Sequence, residues 1–172
     1  MTRVAFTLLV LLVAIQRLAE LAHSRRNEAR LRARGAVEHA RWQVGMLAVL
    51  HGAWLVSMVA EVWVFARYFP TALTLLAAIV FIAGQLLRLT AIQTLGERWT
   101  VGVFTLPATP RVRAGLYSRL PHPNYIGVAL EIASLPLIHG AIGTAFAFTV
   151  LNAIALTLRI QVESTALAKA ES

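Results

Sequence analysis

Apolar residues in this chain are gathered into five long runs separated by polar, arginine-rich segments. The runs cover about residues 4–21, 44–65, 71–92, 125–138 and 141–158. Polar and apolar residues do not alternate within them, and the longer ones approach the roughly 20 residues that an α-helix needs to cross a bilayer. The pattern therefore predicts an all-α integral membrane bundle with about five transmembrane helices.

The polar segments divide the predicted bundle into two parts. Residues 1–92 contain three transmembrane helices and a basic loop at 23–41. We expect the first helix to continue to about Arg34, where Gly35 ends it. Residues 93–172 contain the longest polar region, two further transmembrane helices and a C-terminal helix, and form the second part.

The distribution of arginine predicts how the bundle is oriented. The net charge is +8, and of sixteen basic residues seven lie in 17–41 and five in 88–119, whereas Arg67 alone lies beside the predicted tight turn Tyr68-Phe69-Pro70. The positive-inside rule then predicts a multi-pass protein of the cell membrane whose N-terminus is outside and whose C-terminus is cytoplasmic. The clustering favours contact with membrane lipids and argues against a nucleic-acid partner.

The amino-acid composition argues against several kinds of site. The chain is 58% hydrophobic and has no cysteine, which excludes disulfides and thiolate chemistry. Its eight acidic residues are all glutamates, and its five histidines are scattered, so no metal site is predicted. His51 and Glu61 lie inside the second run, where interhelical hydrogen bonds are the favoured interpretation and a functional role is the alternative.

Glycine, proline, histidine, aromatic residues and arginine are concentrated in residues 115–127. Two prolines flank His122, so a regular helix cannot begin before it, whereas Pro123 suits the first turn of the fourth helix. His122 is thus predicted at the start of that helix, near free backbone N–H groups that favour anionic ligand groups.

A second polar cluster is predicted at the end of the fifth helix. Asn152, Arg159 and Glu163 are spaced by seven and four residues, so they share one face. Arg159 and Glu163 form either a simple ion pair or part of a pocket that His122 and Tyr125 also line. The hairpin of the last two helices would bring the two clusters together.

Four short motifs follow one another over residues 93–167. They are Leu95-Gly96-x-x-Trp99-Thr100, Gly115-Leu116-Tyr117, His122-Pro123-Asn124-Tyr125-Ile126-Gly127 and Arg159-Ile160-x-x-Glu163. In this order they resemble the isoprenylcysteine carboxyl methyltransferase family of membrane enzymes. Within it, the chain is most similar to a small bacterial branch associated with methylation of lipidic polyketides such as alkylpyrones and alkylresorcinols.

The resemblance implies transfer of a methyl group from S-adenosylmethionine to an oxygen of a lipophilic substrate that arrives from the bilayer, at a cytoplasmic active site. It implies that Arg159 orients the acceptor oxygen and that Glu163 acts as a base or binds the cofactor. The implied cofactor-binding residues are Gly115, Leu116, Tyr117, Arg119, His122, Pro123, Asn124, Tyr125, Gly127 and Glu163. The implied substrate-binding residues are Asn152, Glu131 and Trp99.

The chain departs from the family pattern at two positions. Pro121 stands where the family usually has arginine, and Ser164 stands where it often has a second glutamate. Arg119 is predicted to supply the missing cation. A membrane reductase that uses NADPH and a non-catalytic membrane module of the same fold are the alternative functions, and the sequence does not identify the methyl acceptor.

Overall fold

A computed structural model describes residues 1–65, 69–107 and 109–171 and contains five α-helices. They are α1 (Arg3–Ala33), α2 (Trp42–Phe65), α3 (Thr71–Leu95), α4 (Pro123–Ser134) and α5 (Ile142–Glu171). Four of them, α1, α2, α3 and α5, are long and apolar enough to cross a membrane. The predicted all-α membrane bundle is confirmed, while Arg67 and Tyr68 lie outside the described residues.

The fourth span is built differently from the others. The helix α4 has only 12 residues and ends at Ser134, earlier than predicted, because Pro136 cannot continue the backbone hydrogen bonds of an α-helix. A 3-10 helix, Pro136–His139, follows it. A Cβ atom on Gly140 would lie 3.0 Å from the Cβ atom of Phe69, beside the start of α3. The combined segment therefore crosses the bundle from end to end.

A two-stranded antiparallel sheet, which the sequence did not predict, joins two polar segments. Strand β1 (Val37–His39) pairs with β2 (Val103–Thr105), and Glu38 lies opposite Phe104. Three-residue strands are too short to show a period-two pattern. The predicted basic loop at 23–41 is mostly the end of α1, and only its last residues form β1. We call this end of the bundle the sheet end and the end near Phe69 the turn end.

One face of α1 points inward along its whole length. Its residues recur at intervals of three and four: Phe6, Val10, Val13, Arg17, Glu20, Ser24, Asn27 and Leu31. At the turn end they are apolar and join the hydrophobic core with Trp54, Met58 and Ile132. They become charged in the middle and polar towards the sheet end, so one helix contributes to three different environments.

The helix α5 is capped by a side chain from α2. The carboxylate of Glu61 accepts hydrogen bonds from the backbone N–H groups of Gly143, at 3.0 Å, and Thr144, at 2.7 Å. It also accepts one from the Thr144 hydroxyl at 2.8 Å. These groups would otherwise lack partners at the start of the helix. The interhelical hydrogen bonds predicted for Glu61 are confirmed.

Four charged side chains form an ion-pair cluster, Arg17, Glu20, Arg88 and Glu131, between α1, α3 and α4. Glu131 is fully buried, and it pairs with Arg17 and, at 3.4 Å, with the Nε atom of Arg88. Glu20 pairs with Arg88 and, at 3.1 Å, with Arg17. Two cations and two anions balance one another, which offsets part of the cost of burying charge.

Helices α3 and α4 touch through their backbones at a pair of glycines. A Cβ atom on Gly127 would lie 2.6 Å from the Cγ atom of Arg88 and 2.8 Å from the carbonyl oxygen of Gly84. Only a residue without a side chain fits such a contact. Gly127 therefore sets the distance between α3 and α4, and with it the geometry of the ion-pair cluster.

The substitution Gly127→Ala is expected to destabilise the protein. Its Cβ atom overlaps backbone as well as side chain, and overpacking of this kind costs about 1–3 kcal/mol. Thermal unfolding in detergent, followed by tryptophan fluorescence, should show a Tm lowered by several degrees. Gly52→Ala is the control, because a Cβ atom there meets nothing within 4 Å. Equal Tm values for the two variants would contradict the close contact.

Candidate active site

A cavity of about 640 Å³ lies at the sheet end of the bundle. The helices α1 and α2 contribute a largely apolar wall, with Ala14, Leu18, Leu21, Val44, Leu47, Ala48 and Leu55 among its residues, and they also contribute Arg17, Glu20 and His51. A polar wall includes Trp99, Tyr117, His122, Asn124, Tyr125, Arg159 and Glu163. The cavity therefore combines polar groups from three segments of the chain with hydrocarbon side chains.

The hydroxyl of Tyr125 connects α4 to α5 in the polar wall. It donates a 2.5 Å hydrogen bond to Oε2 of Glu163 and accepts a 3.0 Å bond from Nε of Arg159. The ring of His122 stacks on Tyr125 with centroids 5.3 Å apart, and its Nδ1 atom lies 3.7 Å from Oε2 of Glu163. The structure thus joins Arg159 and Glu163 through Tyr125, and brings together the two clusters identified in the sequence.

The Arg159 guanidinium is held in a fixed position. The side chain is only 4% exposed, and a terminal nitrogen donates to the carbonyl oxygen of Val101 while Nε donates to Tyr125. A guanidinium has five N–H groups in a rigid plane, so these two contacts leave other donors for a ligand. Arg159 is therefore a fixed cation beside the cavity.

Two residues of α1 that were not singled out in the sequence hold the segment that contacts Arg159. The hydroxyl oxygen of Ser24 accepts a 2.8 Å hydrogen bond from the Val101 N–H group. The amide of Asn27 donates to the carbonyl oxygens of Gly96, at 3.1 Å, and Trp99, at 2.8 Å. Ser24 and Asn27 are fully buried. Ser24 and Asn27 follow Arg17 and Glu20 at intervals of three and four residues. This helical periodicity is the sequence pattern that could have identified them.

The motif Gly115-Leu116-Tyr117 forms a 3-10 helix, Gly115–Ser118, that brings Tyr117 to the cavity. Gly115 has a φ of +53° and a Cβ atom there would lie 3.2 Å from Oγ1 of Thr94, so glycine permits both the turn and the packing. Burial, together with the negative charge of Glu163, raises the pKa of Tyr117. The phenol therefore remains a hydrogen-bond donor at neutral pH.

Polar atoms without partners lie at the start of α4 and next to it. Pro123 is the first residue of α4, as the sequence predicts, and is buried. Asn124 follows it, and its Oδ1 atom is buried without a hydrogen-bond partner among the described residues, as is Nε1 of Trp99. The Trp99 ring stacks on His23 with centroids 5.8 Å apart. Arg98, which the sequence did not single out, also lines the cavity.

Seven of the predicted site residues are outside the described lining of the cavity: Gly115, Leu116, Arg119, Pro123, Gly127, Glu131 and Asn152. Arg119 is exposed, and Asn152 is buried on α5. Gly127 packs on α3, and Glu131 belongs to the ion-pair cluster. The arginines that pair with Glu131 do line the cavity. The ligand contacts assigned to these seven residues stay predictions.

The residue His51 also lines the cavity. An interhelical hydrogen bond was the favoured interpretation of this histidine. Its Nε2 atom is buried and has no hydrogen-bond partner among the described residues. The structure therefore leaves His51 available to a ligand rather than committed to a neighbouring helix.

Comparisons with known proteins identify a family and two similar proteins. The profile of the isoprenylcysteine carboxyl methyltransferase family matches residues 76–169, which include β2, α4 and the polar segment of α5. The chain is 33% identical over 162 residues to "Uncharacterized protein YpbQ" of Bacillus subtilis, covering 94% of this chain and 96% of that protein. It is 28% identical over 153 residues to an "Uncharacterized protein" of Haemophilus influenzae, covering 88% of each. No solved structure matches the chain significantly.

Neither relative's name states a substrate, so the closer resemblance to alkylpyrone and alkylresorcinol methyltransferases stays a prediction. The family profile, by contrast, covers more than half of the chain and contains most of the polar wall of the cavity. The matching region also includes the hydrogen-bonded residues Tyr125, Arg159 and Glu163. The chain belongs to the isoprenylcysteine carboxyl methyltransferase family of membrane methyltransferases.

Proposed function

We propose that this protein transfers a methyl group from S-adenosylmethionine to an oxygen atom of a lipophilic acceptor bound in the cavity. The observation that carries the proposal is the network of Arg159, Tyr125 and Glu163 in one cavity with a largely apolar wall from α1 and α2. A fixed cation next to hydrocarbon side chains suits an amphiphile whose polar end reacts. The acceptor is an isoprenylcysteine-type carboxylate or a lipidic polyketide hydroxyl.

The polar wall has groups that fit the cofactor. S-adenosylmethionine supplies a methyl group on a sulfonium and carries an ammonium, a carboxylate and an adenosine. The carboxylate of Glu163 matches the ammonium, and the protonated hydroxyl of Tyr117 is a donor. Oδ1 of Asn124 is an acceptor that has no hydrogen-bond partner in the described part of the chain. The cavity volume, about 640 Å³, lies within the roughly 300–1,000 Å³ typical of small-molecule sites.

The role proposed for Arg159 is to hold the acceptor oxygen in line with the methyl group. Its two protein contacts fix the guanidinium plane, and the remaining N–H groups orient the oxygen without removing a proton. A carboxylate acceptor needs no base. A phenol, with a pKa near about 10, needs either a base or a nearby cation, and Glu163 is the carboxylate at hand.

The hydrocarbon part of the acceptor is proposed to lie along a groove on α2. Gly45, Ala48 and Gly52 recur at intervals of three and four residues and all line the cavity. A Cβ atom on either glycine would meet nothing within 4 Å, so the groove has room for an alkyl chain. An acceptor would reach it sideways from the bilayer, between α1 and α2.

We further propose that the protein is a multi-pass protein of the cell membrane with the sheet end in the cytoplasm. Arg25, Arg26, Arg30 and Arg32 lie on the last turns of α1, and Arg34 follows its last residue, at the sheet end, where the cavity is. The positive-inside rule then puts the active site on the cytoplasmic face and the N-terminus outside. A cytoplasmic location also gives the site access to S-adenosylmethionine made in the cytosol.

Isothermal titration of the detergent-solubilised protein should detect binding of S-adenosylmethionine and no binding of NADPH. His122→Ala should weaken the binding of S-adenosylmethionine about tenfold, the effect of losing one buried hydrogen bond of about 1.4 kcal/mol. His39→Ala is the matched control, because this histidine contacts Thr105 in the sheet, outside the described lining of the cavity. Binding of NADPH in place of S-adenosylmethionine would overturn the proposed activity.

The variant Arg159→Lys should lower turnover about a hundredfold, while the affinity for S-adenosylmethionine changes little. Lysine keeps the positive charge but loses the planar set of donors, and misalignment of an acceptor has effects of about this size. Methyl transfer to long-chain phenols and carboxylates measures the loss. The control is Arg113→Lys, at an exposed position. Full turnover by Arg159→Lys would show that this arginine only supports Tyr125.

Filling the groove with Gly52→Leu should raise the KM for long-chain acceptors about tenfold or more and leave short-chain acceptors and cofactor affinity unchanged. The leucine side chain occupies space that the structure leaves open on the cavity side of α2. Steady-state kinetics with acceptors of graded chain length measures the effect. Val49→Leu is the control on the same helix, because Val49 is 73% exposed on the outer surface. An unchanged KM for long-chain acceptors would show that their alkyl chain binds outside this groove.

A further inference from the structure

We infer that the acceptor carries a second, uncharged oxygen, a hydroxyl or a carbonyl, about 10 Å from the oxygen that is methylated, and that Arg17 and His51 bind it. The inference rests on the proposed function, since it describes the acceptor of the same cavity. It starts from a group of polar residues in the middle of the bundle, which the proposed transfer of a methyl group does not use.

The cavity has two polar regions. Besides the wall around Arg159, it is lined by Arg17, Glu20 and Arg88 of the ion-pair cluster and by His51 of α2. Burying an ionisable side chain within a membrane span costs free energy, so such residues rarely face lipid and often mark functional positions. A cavity that served only to hold an alkyl chain would gain nothing from charged residues along it.

Three atoms lining this second region lack hydrogen-bond partners among the described residues, and one of them, Nε of Arg88, lies 3.4 Å from Glu131 in an ion pair. Among the described residues, neither Nε of Arg17 nor Nε2 of His51 has a hydrogen-bond partner, and both atoms are buried. The other nitrogens of Arg17 already contact Glu20 and Glu131. Leaving buried polar atoms unpaired is costly. A ligand oxygen would satisfy the N–H group of Arg17, and a hydroxyl would also interact with the imidazole of His51 in either tautomer.

Because the charges of the ion-pair cluster balance, the ligand group that binds there should be uncharged. Arg17 and Arg88 are matched by Glu20 and Glu131, so the cluster carries no net charge to attract an anion. A further carboxylate or phosphate would add an uncompensated negative charge inside the membrane. A hydroxyl or a carbonyl supplies the oxygen without that charge.

The distance between the two polar regions can be estimated along α1 and along α4, and the two estimates are similar. On α1, Ser24 binds Val101, whose carbonyl oxygen contacts Arg159, and Arg17 lies seven residues before Ser24. At 1.5 Å per residue this separation is about 10 Å along the helix. On α4, Tyr125 and Glu131 are six residues apart, which is about 9 Å. The cavity between these levels is lined by apolar residues, Leu21 and Val128 among them, and this lining suits a hydrocarbon linker.

The test compares binding of a long-chain saturated fatty acid with that of three derivatives, each hydroxylated at one position. In one derivative the hydroxyl lies about 10 Å from the carboxylate, and in the other two it lies clearly nearer or farther. Affinities are measured by titration of the full-length protein in detergent, without turnover. We expect the derivative with the hydroxyl at about 10 Å to bind about tenfold more tightly than the other three compounds. Equal affinities for all four would overturn the inference.

Variants identify the residues responsible. His51→Leu and Arg17→Lys should each abolish the preference without weakening the binding of the saturated acid, and Arg17→Lys keeps a positive charge opposite Glu131. His139→Leu is the matched control, because His139 also has a buried Nε2 without a partner among the described residues but lies against Phe6 at the turn end. If Arg17→Lys does not fold, the binding preference of His51→Leu alone tests the assignment. A preference that survives His51→Leu would refute the assignment.

The two proposals fail in different ways. If the protein does not bind S-adenosylmethionine, the proposed activity is wrong, yet the preference for one hydroxyl position remains measurable because it needs no reaction. If the protein methylates long-chain acceptors but binds all hydroxyl positions equally, only the second polar region has been misassigned.

Discussion

The ion-pair cluster is the interaction on which the rest of the structure depends. Arg17 and Glu20 come from α1, Arg88 from α3 and Glu131 from α4, so the cluster connects three helices in the middle of the bundle. Removing one partner would leave a buried charge uncompensated, which typically costs about 3–5 kcal/mol. The backbone contact at Gly127 is what allows α4 close enough to α3 for the pairing.

The inward face of α1 also positions residues of the candidate active site. The same face of the helix that supplies Arg17 and Glu20 supplies Ser24 and Asn27 one and two turns later, and these bind the segment around Val101. The carbonyl oxygen of Val101 in turn holds Arg159. The position of the proposed catalytic arginine on α5 is therefore set by polar residues of α1, more than a hundred positions earlier in the chain.

The cavity shows how a membrane bundle combines two chemistries in one site. Helices α1 and α2 contribute most of the apolar side chains, whereas the hydrogen-bonding groups around Arg159 come from α4, α5 and the region before α4. At the start of α4, Nδ1 of His122 lies 3.7 Å from Glu163 of α5. The polar wall then lies at one end of the bundle and the hydrocarbon groove beside it, so an amphiphile can contact both at once.

Several features were determined by the sequence alone. Apolar runs of membrane-spanning length predicted the helices, because helical hydrogen bonding is the way a single segment can satisfy its backbone in lipid. The prolines at 121 and 123 predicted the start of α4, and the seven-and-four spacing placed Asn152, Arg159 and Glu163 on one face. These are local properties of backbone and periodicity.

Contacts between distant segments were decided only by the tertiary structure. The resemblance to the family implied ligand contacts for Glu131 and Gly127, and only the fold showed that Glu131 pairs with two arginines and that Gly127 packs on α3. It also pairs β1 with β2, two strands too short to be recognised beforehand. Whether Arg159 meets Glu163 directly or through Tyr125 depends on how α4 packs against α5, because helical spacing fixes which residues share a face but not which neighbour that face meets.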